Sequence, residues 1–101
     1  MKTFEQLQEL ILDWAKDKNI LAPENHEKQL MKVYEELGEL SGAILKGNRI
    51  HEEDAFGDVF VTLIILMAQR NVDIHVELEN VYNVIKARKG NTVNGTFIKE
   101  N

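Results

Sequence analysis

The segment Val59 to Ala68 constrains the fold of this chain more than any other. All of its residues are apolar except Thr62, and an α-helix turns about 100° per residue, so their side chains surround the whole helix. Such a helix is buried on more than one side. We therefore expect it to lie either at the centre of its own bundle or between subunits. It has about half the length that a membrane span needs, so no membrane partner is expected.

Boundary signals divide the chain into four predicted helices around this segment. The signals are a capping box of Thr3 with Gln6, capping side chains at Asn25 and Asp73, and the stop signals Gly47 and Asn71. The first predicted helix runs from Thr3 to about Lys18, and the second runs from Asn25 to its end at Gly47 and Asn48. The third begins between Ile50 and Glu53 and ends at Asn71. The fourth runs from Asp73 to Gly90, with Arg88 and Lys89 in its last turn.

The C-terminal tail, residues 91–101, carries a turn signal. Asn94-Gly95 lies between Val93 and Phe97, which is typical of a tight β-hairpin, although the tail is equally compatible with a loose end. With no repeat or internal linker, residues 1–101 are predicted to form one all-α domain, a four-helix bundle.

Composition narrows the possible functions. The net charge is −5 and no strongly basic patch is present, so duplex nucleic acid is not an expected partner. The chain has no cysteine, which excludes disulfides, thiolate catalysis and cysteine-based zinc sites. Because the N-terminus also lacks the apolar core of a signal peptide, we expect a cytoplasmic protein.

The second predicted helix carries three carboxylates on neighbouring faces. Glu35 and Glu36 each lie one turn before Glu39, and like charges at this spacing destabilise a helix. Lys32 offsets part of this repulsion, and a divalent cation would offset much more. Hard cations such as Mg²⁺ prefer carboxylate oxygens and share their coordination with substrate phosphates.

A second acidic pair begins the apolar helix. Asp54 and Asp58 lie one turn apart, and Asp58 directly precedes the apolar segment, so its carboxylate needs a partner if it is buried. If the second and third helices pack antiparallel, Glu36 and Glu39 face Asp54 and Asp58. Four carboxylates would then converge on one or two Mg²⁺ ions, or on Mn²⁺.

An alternative interpretation is structural. An acidic run on a helix is usually a solvated face, and an aspartate near a helix start is favoured there by the helix dipole. Trp14 and Tyr34 are predicted to belong to the core rather than to bind substrate. The three histidines lack metal-ligand spacing and receive no role.

The acidic motifs resemble those of the MazG-like nucleoside triphosphate pyrophosphohydrolases, of the all-α NTP pyrophosphatase superfamily. The family signature is Glu-Glu-x-x-Glu on one helix and Glu-x-x-Asp on the next. Glu35-Glu36-Leu37-Gly38-Glu39 matches the first part, and Gly57-Asp58-Val59 matches the end of the second. Weaker likeness to small, phage-type members is found at Asn83, Lys86, Arg88, Gly90 and Asn94-Gly95-x-Phe97.

This resemblance implies Mg²⁺-dependent hydrolysis of a nucleoside triphosphate to the monophosphate and pyrophosphate, in nucleotide-pool house-cleaning. Glu35 is the candidate for orienting or deprotonating the attacking water. The remaining candidates fall into metal ligands and substrate-binding residues. The predicted metal ligands are Glu36, Glu39, Asp54 and Asp58, and the predicted substrate-binding residues are Lys32, Asn83, Lys86 and Arg88.

The chain departs from the family pattern at one position. Where the family has its second-motif glutamate the chain has Ala55, and Asp54 stands one residue earlier. Two other functions therefore stay open, an inactive module that senses nucleotides or contacts proteins, and a plain helical dimerisation domain. Because three short helices cover only part of an apolar helix, we also expect a homodimer or homotetramer.

Overall fold

A computed structural model describes residues 1–100; Asn101, the last residue of the predicted tail, lies outside the described residues. The chain forms four α-helices followed by a small two-stranded sheet, with a short 3-10 turn at Pro23–Asn25. The helices are α1 (Phe4–Asp17), α2 (His26–Leu45), α3 (Arg49–Gln69) and α4 (Ile74–Ile85), and the strands are β1 (Gly90–Val93) and β2 (Thr96–Lys99). The prediction of four helices in a mainly helical chain is confirmed.

The start of α1 has the predicted capping box. The backbone N–H of Gln6 donates to Thr3 Oγ1 at 3.1 Å, and the Thr3 N–H donates to Gln6 Oε1 at 2.9 Å. Two of the backbone donors that a helix start leaves free are thereby satisfied by side chains.

A three-residue connection folds α2 back onto α3. Gly47 has a positive φ of 68°, and the Asn48 N–H donates to the carbonyl of Ala43 at 3.0 Å, as in a Schellman-type helix end. The Asn48 side chain then accepts from the His51 N–H at 3.2 Å, so one residue ends α2 and caps α3. This local chemistry makes the two helices antiparallel.

The start of α2 differs from the prediction. Asn25 occupies the N-cap position, but its side chain makes no capping hydrogen bond. The chain enters α2 through the 3-10 turn, which gives Asn25 φ and ψ of −92° and 10° rather than the extended backbone of a capping residue. Instead, His26 Nδ1 donates to the carbonyl of Pro23 at 2.9 Å.

The end of α4 also differs from the prediction. The helix stops at Ile85, so Arg88 and Lys89 lie beyond it rather than in its last turn. The N–H groups of Ala87 and Arg88 donate to carbonyls three residues back, which tightens the chain out of the helix. Gly90 is the first residue of β1 rather than the helix stop.

The tail forms the hairpin, one of the two predicted alternatives, and adds a small sheet to the all-α prediction. Val93 pairs with Thr96 and Gly90 with Lys99 in an antiparallel register. Asn94 and Gly95 have φ of 50° and 80°, and two successive positive values define the type I′ turn that matches strand twist.

The packed body consists of three helices. α2 packs along α3, and α1 packs on α3 from another side. Within residues 1–100, α4 packs along no other helix; its first turn is held by His75, whose ring lies 5.7 Å from that of Phe4 and whose Nε2 bonds Gln8 Oε1 at 2.8 Å. The buried apolar residues are Ala15, Val33, Ala43, Ala55, Val59, Ile64 and Ile65.

Much apolar surface remains uncovered. Apolar residues recur at helical spacing along α2, and the sequence pattern predicts that Leu30, Val33, Leu37, Leu40 and Ile44 form one apolar stripe. Val33 is buried, but Leu30, Leu37 and Ile44 are exposed, because the helix turns Gln29, Val33 and Ala43 towards the body. Every α4 residue except Ile74 is exposed. No single helix in residues 1–100 is long and apolar enough to cross a membrane; only α3 and α4 together, bent by 102°, satisfy that criterion.

We expect Gly90→Ala to disrupt the hairpin and leave the helices intact. An added Cβ at residue 90 would clash with the Ile98 carbonyl oxygen and lie 2.8 Å from Phe97 Cζ. Amide hydrogen exchange resolved by residue should show loss of protection in β1 and β2 alone.

The matched control is Gly57→Ala in α3, where nothing lies within 4 Å of the added atom. It should stabilise the protein by about 0.5–1 kcal/mol through helix propensity. Unchanged protection of the hairpin in Gly90→Ala would contradict the close approach of the two strands.

Candidate functional site

An acidic cleft lies between the C-terminal half of α2 and the N-terminal half of α3. Its volume is about 730 Å³, and four carboxylate residues line it, namely Glu35, Glu39, Asp54 and Asp58. Because α2 and α3 run antiparallel, the two acidic motifs face each other as the sequence predicts. The other lining residues are Gly38, Gly42, Ala43, Lys46, Asn48, His51 and Ala55.

Glu36 lies beside this cleft, partly buried in the contact between the helices. Its Oε2 atom is buried without a hydrogen-bond partner. Burial raises the pKa of Glu36, and the negative charges of Glu39, Asp58 and Glu35 raise it further. A buried, unpartnered carboxylate oxygen is costly, so this side chain has the unmet need for a partner that a cation or proton satisfies.

The ion pairs near the cleft involve Glu35, Glu52 and Glu53. Lys32 Nζ lies 3.1 Å from Glu35 Oε2, and Arg49 pairs with Glu52 and, at 3.0 Å, with Glu53. Across residues 1–100, no salt bridge reaches the other carboxylates of the site, which are Glu36, Glu39, Asp54 and Asp58. The negative charges of these four residues are therefore not held in ion pairs, although Lys46 also lines the cleft.

The chemistry of these donors fits a hard divalent cation, which prefers several carboxylate oxygens. The orphaned oxygen of Glu36 points to the same conclusion. In their present rotamers, the histidine, aspartate and glutamate side chains of the described residues form no group of three that could hold a metal ion. Binding would therefore require rotamer changes of carboxylates that are mostly exposed.

Ala55 and Asp54 take different positions at the cleft. Ala55 is 5% exposed, so its small side chain lies in the contact between α2 and α3. Asp54 is exposed and also lines the cleft. The carboxylate of residue 54 thus reaches the cleft from its rim.

A second cleft of about 450 Å³ opens at the other end of the α2–α3 contact. Trp14 and Lys32 both line it, and Trp14 is 51% exposed. The prediction that Trp14 and Tyr34 belong to the core is wrong, since both are exposed. Their helices turn smaller residues, Ala15 and Val33, into the body instead.

Two buried glutamines lie in the wall of this second cleft and were not singled out from the sequence. Gln29 Nε2 donates to the Thr62 carbonyl at 3.1 Å, and Gln69 Nε2 donates to the Ile20 carbonyl at 2.8 Å. The only feature of the sequence that could have indicated a buried glutamine is the position of Gln69, which directly follows the apolar segment and lies one turn after Ile65. His51, which lines the acidic cleft, had no such signal.

The predicted substrate-binding residues are divided between locations. Lys32 lies beside both clefts through its ion pair with Glu35. Asn83 and Lys86 belong to the region of the exposed α4, where Lys86 Nζ lies 5.7 Å from the Tyr82 ring, and Arg88 follows that helix. The structure does not bring these three together with the acidic cleft in one copy, so their role stays a prediction.

One comparison with known proteins gives a relative. The chain is 35% identical over 77 residues to the "Uncharacterized 18.2 kDa protein in rep-hol intergenic region" of Haemophilus phage HP1 (strain HP1c1), covering 76% of this chain and 47% of the phage protein. The chain therefore spans about half the length of that relative. No protein-family profile matches the chain, and no solved structure matches it significantly.

We expect Glu36→Gln to raise the melting temperature at neutral pH in the absence of divalent cations. Because the pKa of Glu36 is raised in the folded state, its ionisation opposes folding, and stability falls as pH rises through that range. Gln keeps the shape and removes the charge. The difference from the unaltered protein should shrink towards about pH 4, where free carboxyl groups become protonated.

Thermal melts in EDTA at both pH values measure this effect. Glu53→Gln is the control, because it removes the charge of an exposed, ion-paired glutamate outside the cleft and should give no gain. Equal melting temperatures of Glu36→Gln and the unaltered protein at neutral pH would show that Glu36 is not under electrostatic strain.

Proposed function

We propose that this chain is a MazG-like nucleoside triphosphate pyrophosphohydrolase that uses Mg²⁺, or Mn²⁺, and acts in nucleotide-pool house-cleaning. The observation that carries the proposal is the acidic cleft, in which carboxylates from two antiparallel helices face each other. Within residues 1–100, only Glu35 among its four lining carboxylates makes a salt bridge. An acidic cluster of this kind suits a cation that also binds phosphate oxygens.

The proposed reaction joins water to the α-phosphorus and breaks its bond to the bridging oxygen of the departing pyrophosphate. Glu36, Glu39, Asp54 and Asp58 would hold the cation, and the chemistry it would supply is polarisation of the phosphate oxygens and neutralisation of their charge. Glu35 orients the water and accepts its proton. The ion pair with Lys32 holds the Glu35 carboxylate at the rim of the cleft.

We further propose that the working form is an oligomer, a homodimer or homotetramer. A compact monomer of 11.6 kDa would expose about 5,800 Å², whereas this chain exposes 8180 Å². Its radius of gyration is 16.4 Å, against about 13 Å for a compact domain of this length. The surface that this chain exposes beyond that of a compact monomer is comparable to the area buried in a large subunit interface.

The oligomer also offers a route for the remaining substrate-binding residues. Within one copy, α4 extends away from the body and leaves Asn83 and Lys86, followed by Arg88, remote from the acidic cleft. A second copy that covers the apolar face of α4 would bring these groups towards a neighbouring cleft. There, lysine and arginine would bind phosphate oxygens.

If the working form is a homodimer or homotetramer, light scattering at micromolar concentration should give a mass of two or four times 11.6 kDa. Val81→Glu should reduce that mass, because Val81 is 52% exposed on α4 and a charge there cannot be buried against a partner. Asn80→Glu, on the same helix, should leave the mass unchanged. A single-chain mass for the unaltered protein would refute the oligomer.

For the reaction, we expect Mg²⁺-dependent release of pyrophosphate, and not orthophosphate, from at least one nucleoside triphosphate. Glu39→Gln and Asp58→Asn should each abolish turnover, because both remove a charge that the cation needs while keeping the shape of the side chain. Glu53→Gln is the matched control and should retain full activity, because this glutamate pairs with Arg49 outside the cleft.

A pyrophosphate-release screen across natural and modified triphosphates makes the measurement. Exclusive release of orthophosphate would overturn the assigned bond cleavage. Full activity of Glu39→Gln or Asp58→Asn would remove that residue from the cation site.

A second candidate is a non-catalytic module that binds nucleotides. The observation in its favour is Ala55, buried where the family has a carboxylate. Thermal stability with Mg²⁺ and then with a triphosphate separates the alternatives. A shift without turnover supports the binding module, and no shift supports a plain dimerisation domain with a solvated acidic face.

A further inference from the structure

The turn of the C-terminal hairpin is formed by a dipeptide that occurs once in the chain. Asn94 is the one asparagine of the sequence that a glycine follows. Asn94 and Gly95 have φ of 50° and 80°, and asparagine and glycine are the residues that adopt such values most readily. The hairpin therefore favours an Asn-Gly pair at this place for a conformational reason.

The same pair can react with itself. Asn94 Cγ and the backbone nitrogen of Gly95 are the two ends of a five-membered ring that closes when they bond, and glycine has no Cβ to hinder the approach of its backbone. Nothing lies within 4 Å of a Cβ built at residue 95, and Asn94 is exposed, so water reaches both groups. The other asparagines with a residue after them all precede one that bears a Cβ.

The closed turn keeps the two reacting atoms apart. A left-handed residue has ψ of about +47°, which places the following backbone nitrogen on the opposite side of the Cα–C bond from the side chain. Ring closure needs both groups on the same side, so the chain must leave the turn before it reacts.

The hairpin opposes this opening only weakly. It has four residue pairs, all of its residues except Gly90 are exposed, and within residues 1–100 no helix packs along it. A two-stranded hairpin of this kind is marginally stable in water. The open chain, in which the ring closes, is therefore readily reached.

We propose that Asn94 is a site of spontaneous deamidation and that the opening of the hairpin controls its rate. The Gly95 nitrogen loses its proton and attacks Asn94 Cγ. The new N–C bond forms as the bond from Cγ to the side-chain NH2 breaks, and that group takes up a proton and leaves as ammonia. Water then opens the cyclic imide at either carbonyl, which gives aspartate or isoaspartate. The net reaction consumes water and releases ammonia, with no change of oxidation state.

The two products affect the hairpin differently. Aspartate leaves the backbone unchanged, and Asp-Gly also forms type I′ turns. Isoaspartate carries the main chain through its side-chain methylene, so the loop gains a backbone atom. Because loop length fixes the register of a hairpin, the pairing of Val93 with Thr96 is then lost. Each isoaspartate chain loses the hairpin permanently, and the tail changes its structure with the age of the protein.

Peptide mapping by mass spectrometry follows the reaction in the full chain during incubation at mildly alkaline pH. Trypsin cleaves after lysine and arginine and so releases residues 90–99 as one peptide, in which Asn91 is an internal control because Thr92 follows it. We expect conversion at Asn94 and none at Asn91, with the two products separated by chromatography. Conversion at Asn94 no faster than at Asn91 would overturn the proposal.

Gly90→Ala tests the control by the hairpin, because a Cβ at residue 90 would clash with the Ile98 carbonyl oxygen. Asn94 should convert about fivefold faster than in the unaltered protein, a factor that corresponds to about 1 kcal/mol of hairpin stability. Gly57→Ala, in α3, should leave the rate unchanged. If Gly90→Ala keeps the hairpin, the unaltered chain unfolded in urea takes its place with the same expectation. A rate equal to that of the folded, unaltered protein would overturn the control by opening.

Adding Gly95→Ala to Gly90→Ala tests the attacking atom. Both variants have an open hairpin, but the double variant bears a Cβ next to the attacking nitrogen, so conversion at Asn94 should fall to the rate at Asn91. An undiminished rate would show that this nitrogen is not the nucleophile.

Amide hydrogen exchange on the separated products tests the structural consequence. Protection of β1 and β2 should be lost in the isoaspartate chains and kept in the aspartate chains. A protected hairpin in the isoaspartate chains would overturn the permanent change of the tail.

Discussion

The antiparallel contact between α2 and α3 is the interaction on which the rest of the structure depends. Small buried side chains, Ala43 and Ala55, lie where the two helices meet near their connection, and Val33 and Val59 are buried further along. Because the small residues allow the backbones to approach, carboxylates on both helices border one cleft. The same contact that stabilises the body therefore also forces like charges together.

The end of α2 was predictable, and the hairpin was one of two predicted alternatives for the tail, because the signals for both are local. Gly47 and Asn48 supply a left-handed residue and a capping side chain within two positions, and Asn94-Gly95 supplies both positive φ values of a type I′ turn. The facing of Glu39 and Asp58 followed in turn from helical spacing and an antiparallel connection. The acidic half of the site was accordingly readable from the sequence.

Features that depend on tertiary packing were not readable in this way. The stripe of Leu30, Leu37 and Ile44 has the right helical period, yet α2 presents the adjacent face of Gln29 and Val33 to the body. The helical period of apolar residues does not by itself select which of two neighbouring faces is buried. The hydrogen bond from Gln69 Nε2 reaches the carbonyl of Ile20, 49 residues away in sequence, so no local pattern reveals it.

Ala55 shows how the contact between α2 and α3 limits the number of carboxylates that it can bury. Burial and three neighbouring carboxylates already raise the pKa of Glu36, and residue 55 is buried in the same contact. A glutamate there would add another charge to a poorly solvated place, and like charges so close strongly disfavour joint ionisation. Asp54 keeps a carboxylate at the exposed rim of the cleft, where water screens it. A small residue at position 55, with the carboxylate of residue 54 at the rim, thus lowers the repulsion between the carboxylates of the cleft.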